Sequence, residues 1–227
     1  MVKPVVAAYL EVGNRRVFAG AIEWPGWCRS GRDEDTALRA LVDYGPRYAG
    51  AIGPLAGGFT VPTDTSALNV VERLDGNATT DFGAPAIAPA ADERPLDNEQ
   101  LERLQRLLQA CWAAFDAAAE AASSAVLRKG PRGGGREVGG IVSHVLEADR
   151  AYLALLWSAH RKAGDDLTVE MARLREAILG ALRSRARGEA LPPGRRSANV
   201  WTPRYFVRRS AWHALDHAWE IEDRAEG

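Results

Sequence analysis

The sequence predicts an α+β domain followed by an all-α antiparallel four-helix bundle, within one chain of 227 residues. Two patterns carry this prediction. The first half alternates short β-rich runs with turn residues, as the strands of a small sheet do. The second half places apolar residues at helical spacing between capping residues. Residues 83–96, which contain GAPAIAPAADERP, are Ala/Pro-rich and predict an extended linker between domains at residues 1–82 and 97–227.

The strands of the N-terminal domain are predicted from a hairpin and two later runs. Residues 5–12 and 16–23 flank a Gly-Asn dipeptide, and both residue types tolerate the positive φ that tight hairpin turns need. Further short strands are expected at Gly58–Val61 and Leu68–Leu74. Together with one helix, these runs make the first half an α+β unit.

That helix is expected after the segment WPGWC. Acidic residues from Asp33 onward offer an N-cap, and Pro46 is expected to end or kink the helix. The apolar positions at helical spacing are Leu38, Leu41, Val42 and Tyr48. The stretch AGAIEWPGWCRSGRDEDTALRALVDYGPRY loosely resembles the strand-to-helix part of HicB-like domains. The following NVVERLDG and the absence of a DNA-binding motif at the C-terminus depart from the antitoxin pattern, so antitoxin function is not implied.

Four amphipathic helices are predicted in the second half. Asp97 is the expected N-cap of the first helix, with Gln100 in the reciprocal capping position. The other three are expected over about residues 137–161, 166–187 and 202–224. Amphipathic helices joined by loops are typical of an antiparallel bundle.

Composition bears on the classes of partner and on location. The chain has 46% hydrophobic and 26% charged residues and a net charge of -1, and its basic residues are interspersed with acidic ones. It therefore offers no basic stripe for nucleic acid. No apolar run approaches the roughly 18 residues of a membrane span, and the N-terminus resembles a strand rather than a signal peptide. We expect a cytoplasmic protein with two free thiols, Cys28 and Cys111.

Three of the four histidines are predicted to converge. His213 and His217 are four residues apart in WHALDH, so on a helix they share one face about one turn apart. His144 lies on the most apolar stripe of the second bundle helix, which faces the core. His160 is expected on the opposite face of that helix and is excluded. Bundle cores host metal sites built from facing helices, and a hydrogen-bonded core histidine is the competing interpretation.

The histidine-bearing segments SHVLEADRAYL and RRSAWHALDHAWEIEDR resemble, in position and order, those of the DinB/YfiT-like four-helix metalloproteins. The likeness covers about residues 97–224. It implies one divalent ion bound by His144, His213 and His217. Members of that family include thiol-dependent transferases and a mycothiol-dependent isomerase, so the resemblance also implies a low-molecular-weight thiol, such as mycothiol, as cosubstrate.

Three imidazoles without a fourth protein ligand leave an open position, as expected of a reactive ion. Zinc, nickel, iron and manganese all remain open, because imidazole accepts several first-row metals. Glu147 and Glu220 each follow a histidine by three residues and are candidates for orienting it or for proton transfer. A solvated carboxylate at the helix edge is the alternative for both.

Two functions follow from these expectations. The first is a metal-dependent enzyme acting through a thiol on a small electrophile, with the N-terminal unit shaping a pocket or forming a homodimer contact. The second is a noncatalytic module in which metal stabilises the bundle and the N-terminal unit recruits a protein partner. Arg204, Arg208 and Arg209 are candidate ligands for a carboxylate-bearing cosubstrate, although a solvated helix face is the favoured interpretation.

Overall fold

The computed structural model describes residues 5–129, 135–156, 158, 160, 164, 166–189 and 200–225. Within them the chain forms a mixed four-stranded sheet and seven α-helices, an α+β layout. The strands are β1 (Val6–Val12), β2 (Val17–Ala21), β3 (Cys28–Gly31) and β4 (Leu68–Asp75). The helices are α1 (Glu34–Asp43), α2 (Gly45–Ile52), α3 (Ala78–Phe82), α4 (Asn98–Ala121), α5 (Val138–Leu155), α6 (Leu167–Ala186) and α7 (Pro203–Ala225).

The sheet has the strand order β3-β2-β1-β4. β1 and β2 form the predicted antiparallel hairpin, closed by the amide of Gly13 donating to the carbonyl of Arg16. β4 is the predicted strand at Leu68–Leu74 and pairs in parallel with β1. The prediction of a strand at Gly58–Val61 is wrong. These described residues pair with no strand, and Gly58 has a φ of 88°. β3, which is only four residues long, is not among the strands predicted from the sequence.

The helix after WPGWC is divided in two. Asp33 caps α1 as predicted, its side chain accepting from the amide of Thr36. α1 ends at Asp43, and Pro46 lies in the first turn of α2, where a proline is tolerated because its missing amide needs no helical partner. Tyr48 therefore belongs to α2 rather than to α1.

The later helices begin close to their predicted starts. Asp97 caps α4 through the amide of Gln100, but the reciprocal bond is not formed, since the amide oxygen of Gln100 accepts from Arg204 instead. α5 ends at Leu155, earlier than expected. α7 packs extensively on α4 and also contacts α5, and α5 packs on α6. Among the described helices, none combines the length and the apolar character needed to cross a membrane.

A single cluster of buried hydrophobic residues includes members of both halves of the chain, such as Leu10 and Trp27 with Leu108 and Phe206. The WPGWC loop reaches this shared core because Gly26 has no side chain. A Cβ at that position would lie 3.2 Å from Ala211 on α7. The division into domains at 1–82 and 97–227 stays a prediction, but the two parts share apolar contacts.

The segment at 83–96, predicted as an extended linker, is held on both sides. The buried carboxylate of Glu11 on β1 accepts from the backbone amides of Ala86 and Ile87. On the other side, Asp92 is buried and pairs with Arg208 of α7 at 2.7 Å. The segment therefore connects the sheet to α7 through charged groups that are shielded from water.

The prediction that Arg208 lies on a solvated helix face is wrong. Its guanidinium donates to both carboxylate oxygens of Asp92 and to the carbonyl oxygens of Ala21 and Ile22. Helical spacing puts Arg208 on a different face of α7 from His213 and His217. It carried no information about the end of β2, which covers the opposite face of α7.

Candidate metal centre

His144 on α5 and His213 and His217 on α7 meet in the structure. One ligand-type nitrogen from each lies within 4.8 Å of the others. The ring centroids of His144 are 5.1 Å from His213 and 5.0 Å from His217, and the α7 pair is 4.6 Å apart. The structure thus brings together the three histidines that the sequence selected.

Local helix geometry and one hydrogen bond place these side chains. The four-residue spacing on α7 aligns His213 and His217 on one face. On α5, the buried residues Ile141 and Val145 turn the neighbouring His144 toward the same region. One turn before His213, the hydroxyl of Ser210 donates to Asp149 of α5 at 2.8 Å and links the two helices.

The environment favours neutral imidazoles at two of the three positions. Burial lowers the pKa of His213 well below its ordinary value, and the neighbouring His217 and Arg209 act in the same direction. Burial also lowers the pKa of His144, again assisted by His217 and by Arg136. A neutral imidazole keeps the lone pair that a metal ion needs, so protonation competes weakly with binding here.

Glu220 is the carboxylate that contacts the cluster. Its Oε2 lies 2.8 Å from Nδ1 of His217, and this hydrogen bond lowers the pKa of Glu220, so the carboxylate accepts and Nδ1 donates. The Nε2 atom of His217 is then the nitrogen free to bind an ion. Glu147 instead has an exposed side chain paired with Arg150, so of the two predicted candidates only Glu220 is hydrogen-bonded to a cluster histidine.

His160 is outside the cluster, but not for the predicted reason. α5 ends at Leu155, so His160 is not on the opposite face of that helix. Its Nε2 atom lies 2.7 Å from a carboxylate oxygen of the buried Glu170 on α6. The histidine is excluded by where the helix stops and by its contact with α6.

The donor set fits a divalent transition-metal ion. Three imidazole nitrogens bound at about 2.0–2.1 Å with tetrahedral angles would be about 3.3 Å apart. In the structure the three ligand-type nitrogens lie within 4.8 Å of one another. The buried Nδ1 of His213 also has no hydrogen-bond partner in the part of the chain that the structure describes. An unpaired buried nitrogen beside two other imidazoles is consistent with a bound ion.

No match was found when the chain was compared with protein families, with curated proteins and with solved structures. The site is therefore described from this chain alone.

Asp149 is a buried acid that the sequence analysis missed. Ser210 donates to its Oδ1, and the nearby Trp112 indole and Arg175 guanidinium offset part of the cost of burying the carboxylate. Burial raises the pKa of Asp149 to about 6. Helical spacing places Ser210 on the same face of α7 as the histidines, and a buried hydroxyl there needs a partner. The sequence does not reveal which acid on the neighbouring helix meets it.

Replacing Asp149 with Asn should stabilise the protein at neutral pH. The pKa of Asp149 rises from its ordinary 3.8 to about 6 on folding. Between these two pH values the folded state therefore binds more protons than the unfolded state. Stability therefore falls as pH rises from about 4 to 6, and the loss persists above it. We expect Asp149→Asn to raise the free energy of unfolding by about 1–3 kcal/mol near pH 7.5, with a smaller gain near pH 4.

Urea unfolding at the two pH values measures this difference. Asp43→Asn, at an exposed position on α1, is the matched control and should change stability by less than about 0.5 kcal/mol. A destabilisation by Asp149→Asn that is equal at both pH values would contradict the assignment of a costly buried charge.

Glu220→Gln should weaken metal binding, because the neutral amide holds the Nδ1 proton of His217 less strongly than the carboxylate does. Loss of such an orienting contact costs about 10- to 100-fold in affinity. The measurement is a competition titration of added Zn²⁺ against a chromophoric chelator. Glu147→Gln is the matched control, since Glu147 contacts Arg150 instead. Equal weakening by both substitutions would rule out a specific role for Glu220.

Proposed function

We propose that this chain is a DinB-like protein that binds one divalent metal ion through His144, His213 and His217. We further propose that it is a metal-dependent enzyme in which a low-molecular-weight thiol, such as mycothiol, reacts with a small electrophile. The observation that carries the proposal is the convergence of three imidazoles from two helices. Zinc, nickel, iron and manganese are all compatible with this donor set.

The proposal includes an antiparallel four-helix bundle made of α4, α5, α6 and α7. It is supported by the packing of α7 on α4 and α5, and of α6 on α5 and α4. In such an arrangement metal sites are built from side chains of facing helices. His144 on α5 and the pair on α7 satisfy that requirement.

The residues have separable roles in the proposed reaction. A divalent ion bound by three imidazoles would supply acidity, favouring the thiolate form of a thiol at neutral pH. Glu220 holds the Nδ1 proton of His217 and fixes the orientation of its ring. Tyr152, whose ring centroid lies 5.8 Å from that of His213, adds an aromatic wall beside the histidines. Burial raises the pKa of Tyr152, which keeps its phenol neutral.

The noncatalytic alternative rests on a different observation. His213 is only 6% exposed and belongs to the buried stretch of α7. A metal ion held at a sealed position would stabilise the fold without meeting a substrate. The two functions differ in whether the ion has a fourth coordination position that a substrate can occupy.

Metal content is the first test. Protein purified without an affinity tag should contain about one divalent ion per chain by elemental analysis. The double variant His213→Ala/His217→Ala should lose that ion, because a single imidazole binds weakly. His160→Ala removes a histidine outside the cluster and should retain it. Negligible metal in the wild-type protein, with a melting temperature unaffected by added Zn²⁺, would refute the site.

Cobalt substitution separates the enzyme from the module. Co²⁺ bound by three imidazoles and an exchangeable fourth ligand should change its visible spectrum when mycothiol or 2-mercaptoethanol is added, since a thiolate then coordinates the ion. The expected result is a new sulfur-to-cobalt charge-transfer band that saturates with thiol. A normal metal content with a spectrum insensitive to thiol would support the noncatalytic alternative.

A further inference from the structure

Arg209 is a buried cation that forms no ion pair with the residues that the structure describes. It lies on α7 one turn before His213 and is 9% exposed. Its Nη1 atom is buried and has no hydrogen-bond partner within the described part of the chain. The group stacks over the rings of Trp212, at 4.5 Å from guanidinium carbon to ring centroid, and of Tyr152, at 5.2 Å.

The other buried arginines of α7 differ from Arg209. Arg208 is paired with Asp92 and bonded to two carbonyl oxygens. Arg224 donates to the carbonyl oxygens of Arg128 and Arg136 and to Glu220. Burial of a charge without a partner is costly, and contacts with aromatic rings offset only part of that cost. Arg209 is therefore not explained as a structural ion pair.

This cation lies beside the metal centre. The Tyr152 ring contacts both the Arg209 guanidinium and the His213 ring. The Trp212 ring, on which Arg209 stacks, has its centroid 6.1 Å from that of His213. The indole Nε1 of Trp212 is a second buried donor without a partner among the residues that the structure describes. Two N–H groups without described partners thus lie on side chains that contact each other, and the Trp212 ring lies beside His213.

We propose that Arg209, with Trp212 beside it, binds a carboxylate of the substrate or cosubstrate at this site. The planar guanidinium matches a carboxylate in shape and charge. The buried aromatic surroundings favour a monoanion over the more strongly hydrated phosphate dianion, whose removal from water costs more. Arg209 would complete its interactions only when that ligand is present. The carboxylate site is inferred from the environment of Arg209 alone. Its role in a reaction rests on the proposed function.

The test is a titration of the full-length, tag-free protein with acetate at constant ionic strength. Tryptophan fluorescence and melting temperature report binding, since Trp212 contacts the guanidinium. Wild-type protein should show a saturable response, and Arg209→Met should bind acetate about 10- to 100-fold more weakly, as expected for loss of a charged hydrogen bond. Arg204→Met is the matched control on the same helix and should bind like the wild type, because Arg204 is hydrogen-bonded to Arg94, Pro95 and Gln100.

Stability in acetate-free buffer separates a binding role from a structural one. Arg209→Met should melt at or above the wild-type temperature, because it removes a buried charge that lacks a counter-charge. A marked fall in melting temperature that Arg209→Lys restores, without acetate binding in the wild type, would overturn the proposal. Inorganic phosphate is the second probe, and phosphate binding as strong as that of acetate would overturn the assignment to a carboxylate.

Parallel measurement of metal content keeps this inference distinct from the proposed function. Acetate binding that depends on Arg209 in protein without metal would support the carboxylate site while refuting the metal-dependent reaction. One ion per chain with no saturable acetate response in either the metal-free or the Zn²⁺-loaded protein would refute the carboxylate site alone.

Discussion

Burial of α7 on nearly all sides is the constraint on which the rest of the structure depends. From Tyr205 to Leu215 every residue of this helix is buried, including four polar or charged ones. Buried polar groups need partners inside the protein. Arg208 is satisfied by Asp92 and by the end of β2, and Ser210 by Asp149 of α5. Each partner comes from a different part of the chain, so the polar groups of α7 fix its neighbours as firmly as its apolar groups do.

This requirement explains why the Ala/Pro-rich segment at 83–96 is more than a connection. Asp92 neutralises Arg208 on one side, and backbone amides of the segment bind the buried Glu11 on the other. A charge buried without its partner would cost several kcal/mol, roughly 3–5 when one member of a pair is removed. The segment thus supplies a counter-charge to α7 and hydrogen-bond donors to β1. Its own sequence does not identify either of these partners.

Three of the buried polar atoms without a hydrogen-bond partner among the described residues lie close together on α7. The Nδ1 atom of His213, the Nη1 atom of Arg209 and the indole nitrogen of Trp212 lack partners within the described chain, and their rings or guanidinium contact one another or Tyr152. Proteins tolerate such local costs where a ligand later provides the missing partners. A metal ion at the histidines and a carboxylate at Arg209 would satisfy this group together, with Glu220 orienting His217.

The sequence by itself determined the features that arise within a few residues. The β1–β2 hairpin, the caps at Asp33 and Asp97, and the shared face of His213 and His217 follow from local backbone geometry and spacing. Apolar periodicity also placed His144 on the core-facing stripe of its helix. Only the tertiary structure decided that Arg208 is buried, that Glu220 rather than Glu147 meets a histidine, and that α5 stops before His160. Periodicity tells which side of a helix is apolar, whereas the partner of a long polar side chain depends on which distant segment covers that side.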